Sequence, residues 1–125
     1  MINQDNLDKI IKNISKLKFV EGIILFGSQV NGKTREDSDV DIAVITKKLT
    51  KNQEIKILGF SSGKFDISIF NKLPLIIQFR VINDGKILFM RSEEYYHQIK
   101  YEVIRRYLDF SFFINNFYRR VIKNV

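Results

Sequence analysis

One α/β domain is what this 125-residue sequence predicts: a sheet of about four strands with flanking helices and a long C-terminal helix. Three observations carry the prediction. Short apolar runs bounded by Gly, Asn, Asp and Ser alternate with segments of helical period. The length is enough for one real core and too little for two. No internal repeat, low-complexity stretch or linker divides the chain, so residues 1–125 read as one unit with a core at about 20–90 and a closing helix at about 92–122.

Residues 5–18 set Leu7, Ile10, Ile11, Ile14 and Leu17 at helical spacing, with Asp8, Lys9, Lys12, Asn13 and Lys16 opposite, which predicts an amphipathic first helix. Val20–Phe26 reads Val-Glu-Gly-Ile-Ile-Leu-Phe and is stopped by Gly27-Ser28, the pattern of a buried strand ending in a tight turn. Asn31-Gly32-Lys33 and Glu36-Asp37-Ser38 mark a loop that holds at most a turn of helix. Asp39–Thr46 reads as a second strand, apolar on both sides after its start, and places the Asp39 and Asp41 side chains on one face. Lys51–Gly59 fits a short helix or a strand, and Ser61-Ser62-Gly63 breaks it. Lys64–Phe70 alternates as a third strand, with Asp66, Ser68 and Phe70 on one face and Phe65, Ile67 and Ile69 on the other. Pro74 opens a helix to about Ile82, Asn83-Asp84-Gly85 turns the chain, and Lys86–Met90 is a fourth strand. From Ser92 onward the period is helical, opened by a serine cap without the ideal glutamate three residues later. Its apolar stripe is Tyr96, Ile99, Val103, Tyr107, Phe110, Ile114, Phe117 and Val121, which core packing would explain; a break near Asp109-Phe110-Ser111 is compatible with the pattern.

Composition removes several chemistries. With no cysteine and one histidine, His97, there is no disulfide, no thiolate nucleophile and no multi-histidine zinc site. A metal would need oxygen ligands, which points to hard cations such as magnesium. The formal net charge of +7 favours polyanionic partners: nucleoside triphosphates, nucleic acid or an acidic protein. No apolar run approaches a bilayer-spanning length and the N-terminus lacks a signal-peptide layout, so a cytoplasmic, membrane-free protein is expected.

The chemistry-bearing stretch runs from Gly27-Ser28 through ten residues to Asp39-Val40-Asp41. A glycine ending a strand lets backbone amides approach a phosphate, and the next serine adds a hydroxyl donor. Two carboxylates on one face of the neighbouring strand can bridge metal ions bound to the same phosphates. Asp66, on a third strand, is the natural third carboxylate, for a second metal or to accept a proton from an attacking hydroxyl. Either half alone is weak evidence, because Gly-Ser is a common turn and most Asp-x-Asp pairs are solvated. Together, with an apolar strand before and after, they arise by chance in roughly one chain in several hundred to a thousand of this length.

Those residues resemble the nucleotidyltransferase fold shared by DNA polymerase beta, poly(A) polymerases, tRNA nucleotidyltransferases and kanamycin nucleotidyltransferase. The intervening Gly32, Arg35, Asp37 and Ser38 are similar, more specifically, to the minimal nucleotidyltransferase group of small archaeal and bacterial proteins, as is Phe65-Asp66-Ile67 through Gly85-Lys86-Ile87-Leu88-Phe89. The resemblance implies a mixed sheet and transfer of a nucleoside monophosphate, AMP from ATP foremost, from a triphosphate to a hydroxyl. It implies that Gly27 and Ser28 bind the triphosphate and that Asp39, Asp41 and Asp66 are the catalytic and metal-binding carboxylates, with two magnesium ions. It further implies a partner of the HEPN type in a toxin and antitoxin pair, in which this chain is the antitoxin and a tyrosine of the toxin is the acceptor. The alternatives are neutralisation of the partner by occlusion without turnover, and nucleotidyl transfer to RNA.

Other residues weigh less. Arg35, Lys33 and Ser38 lie between the turn and the carboxylates, where a cation or hydroxyl can reach the triphosphate, or where they are solvated loop residues. His97 has no second histidine or nucleophile near it in sequence and reads as a surface or packing residue. Tyr101, Tyr107, Phe110, Phe112, Phe113, Phe117 and Tyr118 exceed what one helix face can bury on a small sheet. The surplus points to a homodimer or a hetero-oligomer through the last helix, while interleaved Arg105, Arg106, Arg119 and Arg120 also suit an RNA-binding face.

Overall fold

Ile23–Phe26 in one strand and Ile42–Ile45 in the next are apolar at successive rather than alternate positions, so neither strand can leave a face in water. Helices are needed on both sides. The computed structural model, which describes residues 4–27 and 39–123, supplies them in the order α1 (Gln4–Ser15), β1 (Val20–Phe26), β2 (Val40–Thr46), α2 (Lys51–Leu58), β3 (Phe65–Ile69), α3 (Leu75–Asp84), β4 (Lys86–Met90) and α4 (Glu93–Lys123). On one face Ile23, Leu25, Val40, Ile42, Val44 and Ile67 pack with Leu7 and Ile14 of α1 and Ile57 of α2. On the other, Ile24, Ala43, Ile45 and Phe70 pack with Val81 and Ile82 of α3 and Val103 of α4. The fold is α+β with a mixed sheet, as expected.

The sheet order is β3-β2-β1-β4. β1 runs antiparallel to both β2 and β4, while β2 and β3 are parallel. A parallel pair needs a crossover, and that settles the ambiguous 51–59 segment. It is a helix, α2, opened by a capping box in which the Thr50 hydroxyl accepts from the Gln53 amide and the Gln53 side chain accepts from the Thr50 amide.

Several expected boundaries move. β2 begins at Val40, leaving Asp39 just outside the ladder, and β3 stops at Ile69 because Phe70–Lys72 tightens into a 3-10 turn that buries Phe70. Pro74 caps α3 instead of starting it, and the helix continues through Asn83 and Asp84. Gly85 follows at once; a Cβ there would strike the Val81 carbonyl and the Ile24 side chain, so only glycine passes between α3 and β1. α4 is unbroken at Asp109-Phe110-Ser111, and the Tyr95 amide donates to the Ser92 hydroxyl at 3.2 Å, giving the predicted cap without its glutamate.

The predicted stripe on α4 is core for only half its length. Tyr96, Ile99 and Val103 pack on the sheet side and Tyr107 stacks on Phe79 with ring centroids 3.9 Å apart. Beyond that point Phe110, Phe117 and Val121 are exposed, so core packing does not explain them. A 31-residue helix is about 46 Å long, more than a four-stranded sheet can cover. Among the described residues no helix is long and apolar enough to cross a membrane.

Arg91, which the sequence reading passed over, closes the far edge. Its amide donates to the Glu21 carbonyl at 2.9 Å, its Nε to the Val20 carbonyl at 3.0 Å, and its Nη2 to the carbonyls of Ser15 and Leu17 at 2.9 and 3.2 Å. One planar cation therefore satisfies the end of α1 and joins it to β1 and β4. Replacing it strands several acceptors: Arg91→Ala is expected to lower the unfolding free energy by about 1–3 kcal/mol in urea titrations, and Arg91→Lys to recover less than half of the loss, because an ammonium cannot span these carbonyls.

Candidate active site

The parallel pairing of β2 with β3 aligns Asp41 with Asp66, Val40 with Phe65 and Ile42 with Ile67. Side chains in register on neighbouring strands share a face, so Asp41 and Asp66 stand together on the α3/α4 side. Asp39 precedes them by two positions on β2 and is exposed at the same edge. On the other side of β2, Phe26 is the register partner of Asp41, and Gly27 follows it. Gly27 has φ of 82°, the left-handed region that glycine occupies at no cost. A Cβ built there would collide with the Asp41 carboxylate and lie 3.2 Å from its Cγ. The strand-ending glycine is thus what lets the backbone pass against this carboxylate.

Electrostatics mark Asp41 as the centre of the group. Burial holds its carboxyl above the usual carboxylate range, and repulsion from Asp66 and then Asp39 pushes it further the same way. Asp66 is exposed, so the trio grades from half-buried to open. Sequence spacing alone anticipated the shared face; the Gly27 contact was not anticipated, although a glycine facing an acidic strand end is the signal that could have found it. Ser28, Lys33, Arg35 and Ser38 lie outside the described residues. His97 is exposed near the start of α4, its ring 6.0 Å from that of Tyr96 between centroids.

Among the described residues no three carboxylate or imidazole groups close into a cluster that could hold a metal ion by themselves. The donor chemistry still suits a hard divalent cation, since crowded carboxylates are relieved by positive charge and magnesium takes one or two carboxylates while substrate phosphates and water complete its shell. An open, graded trio fits that mode better than a closed cage.

The family profile described as Polymerase beta, Nucleotidyltransferase matches residues 8–94. The chain is 37% identical over 70 residues to a candidate protein adenylyltransferase of Methanocaldococcus jannaschii, an alignment that takes in 56% of this chain and 56% of the relative. The chain thus spans little more than half of that relative's length. It is 26% identical over 109 residues to the protein adenylyltransferase MntA of Aphanizomenon flos-aquae, covering 75% of this chain and 73% of MntA. Among solved structures, one of a toxin–antitoxin with AMP-PNP superposes with a TM-score of 0.72 at 20% identity, over 97% of this chain and 99% of the other. Another, from a complex of tri-AMPylated Shewanella oneidensis HEPN toxin with MNT antitoxin, gives 0.69 at 21% identity over 97% and 99%. At such identities these two speak for the fold.

Two outcomes test the site. The Asp41 carboxyl is raised in the fold, so its neutral form is the better accommodated one: its contribution is fully favourable below the unfolded value of 3.8 and is lost as pH rises through the folded value. Asp41→Asn, which cannot ionise, is therefore expected to raise Tm above wild type at pH 7 in metal-free buffer, with the gain shrinking as pH falls and absent below about 3.8. A constant gain across pH would refute the crowding. Gly27→Ala is expected to destabilise by about 1–2 kcal/mol from the left-handed backbone alone, with the Asp41 contact adding to it, measured by thermal or urea unfolding.

Proposed function

The chain belongs to the polymerase beta nucleotidyltransferase family, and from that premise we propose that it is a magnesium-dependent adenylyltransferase that moves AMP from ATP to a tyrosine hydroxyl of a HEPN-type toxin, acting as its antitoxin. The single observation that carries the reading is the register of Asp41 with Asp66 beside the left-handed Gly27, which brings a strand-ending glycine and two carboxylates to one edge of the sheet. The adenylyltransferase relatives and the AMPylated toxin found with a structural neighbour support the choice of AMP and of a protein acceptor.

In this mechanism the Gly27-Ser28 turn offers amide and hydroxyl donors to the triphosphate, and Arg35 and Ser38 add contacts from the connecting loop. Asp39, Asp41 and Asp66 would hold two magnesium ions, whose contribution is to neutralise charge on the phosphates and on the attacking and leaving oxygens. The acceptor oxygen forms a bond to the α-phosphorus while the bond to the bridging oxygen of the β-phosphate breaks, and pyrophosphate leaves. The hydroxyl proton passes to a carboxylate at the open end, for which the exposed Asp66 is best placed. Raised basicity at Asp41 strengthens it as a ligand once positive charge is near. Positioning and charge neutralisation supply most of the catalysis, as in other phosphoryl-type transfers.

The partner would meet α4. Phe112, Phe113, Phe117 and Tyr118 are exposed on its second half, ahead of Arg119, Arg120 and Lys123 at its end, and a cleft of about 300 Å³ lies among Phe112, Phe113, Asn116, Phe117 and Arg120. This surface also favours the second reading, neutralisation by occlusion, because it needs no chemistry. Incubation with α-labelled ATP, magnesium and the partner toxin should label the toxin, and Asp39→Ala with Asp41→Ala should cut labelling by at least 10³-fold if both hold metal at the transition state, roughly 4 kcal/mol. Under the occlusion reading those changes leave neutralisation intact while Phe113→Asp with Phe117→Asp abolishes it. Unchanged labelling by the double Asp→Ala variant would remove the carboxylates from the mechanism altogether.

A further inference from the structure

The apolar stripe of α4 changes period where the core ends. Tyr96, Ile99, Val103 and Tyr107, which pack on the sheet or on α3, are spaced by three, four and four residues, the drift of a straight helix. From Tyr107 the stripe continues through Phe110, Ile114, Phe117 and Val121 at three, four, three and four. Tyr107, Ile114 and Val121 thus recur every seven residues, and so do Phe110 and Phe117. A seven-residue repeat keeps one line of side chains facing a second helix that winds around the first. Phe110, Phe117 and Val121 are 42%, 53% and 46% exposed, so this seam has no second helix among the described residues.

Recesses lie along the seam. At its start Phe110 closes a cavity of about 200 Å³ with Pro74, Leu75 and Ile76, and the cleft beside Phe113 and Arg120 lies further on. From Phe110 to Lys123 the uncovered stretch is about 20 Å of helix, or about four turns. Charge selects the occupant. No acidic residue occurs in α4 after Asp109, while Arg119, Arg120 and Lys123 follow, and Arg120 flanks the seam one heptad on from Phe113. A second copy would bring the same uncompensated cations to the same seam, on chains that each carry a formal net charge of +7. RNA would be drawn to the arginines, but Ile114 and Val121 in the seam offer no ring on which a base can stack.

We propose that this half of α4 is the docking surface for one amphipathic α-helix of the partner protein, apolar at heptad spacing and acidic along its flanks. The partner helix lies alongside α4, its apolar residues between Phe110, Ile114, Phe117 and Val121, its acidic flank against Arg120, and one end at the recess beside Pro74. The inference deepens the antitoxin reading and rests on it for the partner's identity; it adds the kind of element the partner must present. Phe112, on the opposite side of α4 by the helical period, takes no part in it.

Fluorescence anisotropy of labelled synthetic peptides added to the full chain, without ATP, magnesium or toxin, tests the proposal. Each peptide has about 21 residues, three heptads with leucine at the seam positions; the flanks are glutamate in one and lysine in the other. The glutamate peptide is expected to bind saturably and about tenfold more tightly than the lysine peptide. Phe117→Asp, at an exposed position, should weaken it about tenfold, and Arg119→Glu with Arg120→Glu should remove its advantage over the lysine peptide. A glutamate peptide interrupted by two central prolines should not bind, because it cannot form the helix. No binding, equal binding of both charge types, or undiminished binding of the proline version would overturn the proposal. So would a dimer in sedimentation velocity that Phe117→Asp disperses, which gives the seam to a second copy, or displacement of the peptide by single-stranded RNA, which gives it to RNA. No transfer occurs in these measurements, so absent peptide binding with toxin labelling intact refutes the docking helix alone, and absent labelling with peptide binding intact refutes the enzyme alone.

Discussion

The register of β2 is the constraint on which the rest of the molecule depends. Because β2 is buried on both faces, between antiparallel β1 and parallel β3, a slip of one residue would send Val40, Ile42 and Val44 into the layer built for Ala43 and Ile45. It would also turn Asp41 from the edge beside Asp66 toward α1 and α2. The apolar pattern that stabilises the sheet is thus the same pattern that aims the carboxylates. Stability and site geometry are one specification here, and the repulsion around Asp41 is tolerated because the surrounding strand leaves that residue nowhere else to go.

Much of this was legible beforehand because it rests on period. Continuous apolar runs located β1 and β2, alternation placed Asp66 and Ser68 opposite Phe65 and Ile67, and a spacing of two put Asp39 and Asp41 on one side. What escaped was whatever depends on pairing partners. Residues 51–58 carry Ile55, Ile57 and Leu58, a spacing that suits a strand or a helix, and only the crossover demanded by a parallel neighbour decides between them. The Thr50-x-x-Gln53 box was the local signal that could have decided it earlier. Arg91 has no such signal, since nothing in its neighbours announces carbonyls more than seventy positions away. Similarly, the period of α4 persists to its end, but period cannot tell which half of a helix has a sheet beneath it.

The two ends of the parallel pair differ in charge. At the amino ends Asp39, Asp41 and Asp66 gather, and none of them makes an ion pair among the described residues. At the carboxyl ends Lys47, Lys48 and Lys72 gather instead, with Lys47 beside Glu21 and Lys72 paired with Glu54. About 16 Å of strand lies between the two groups.

Arg91 has a further consequence in time. Its side chain reaches carbonyls 71, 74 and 76 positions back along the chain, so the first helix and first strand stay unclasped until nearly three quarters of the sequence has left the ribosome. The clasp thus joins partners that are among the most widely separated in the sequence, and contacts of that kind carry the larger loop-closure cost in folding.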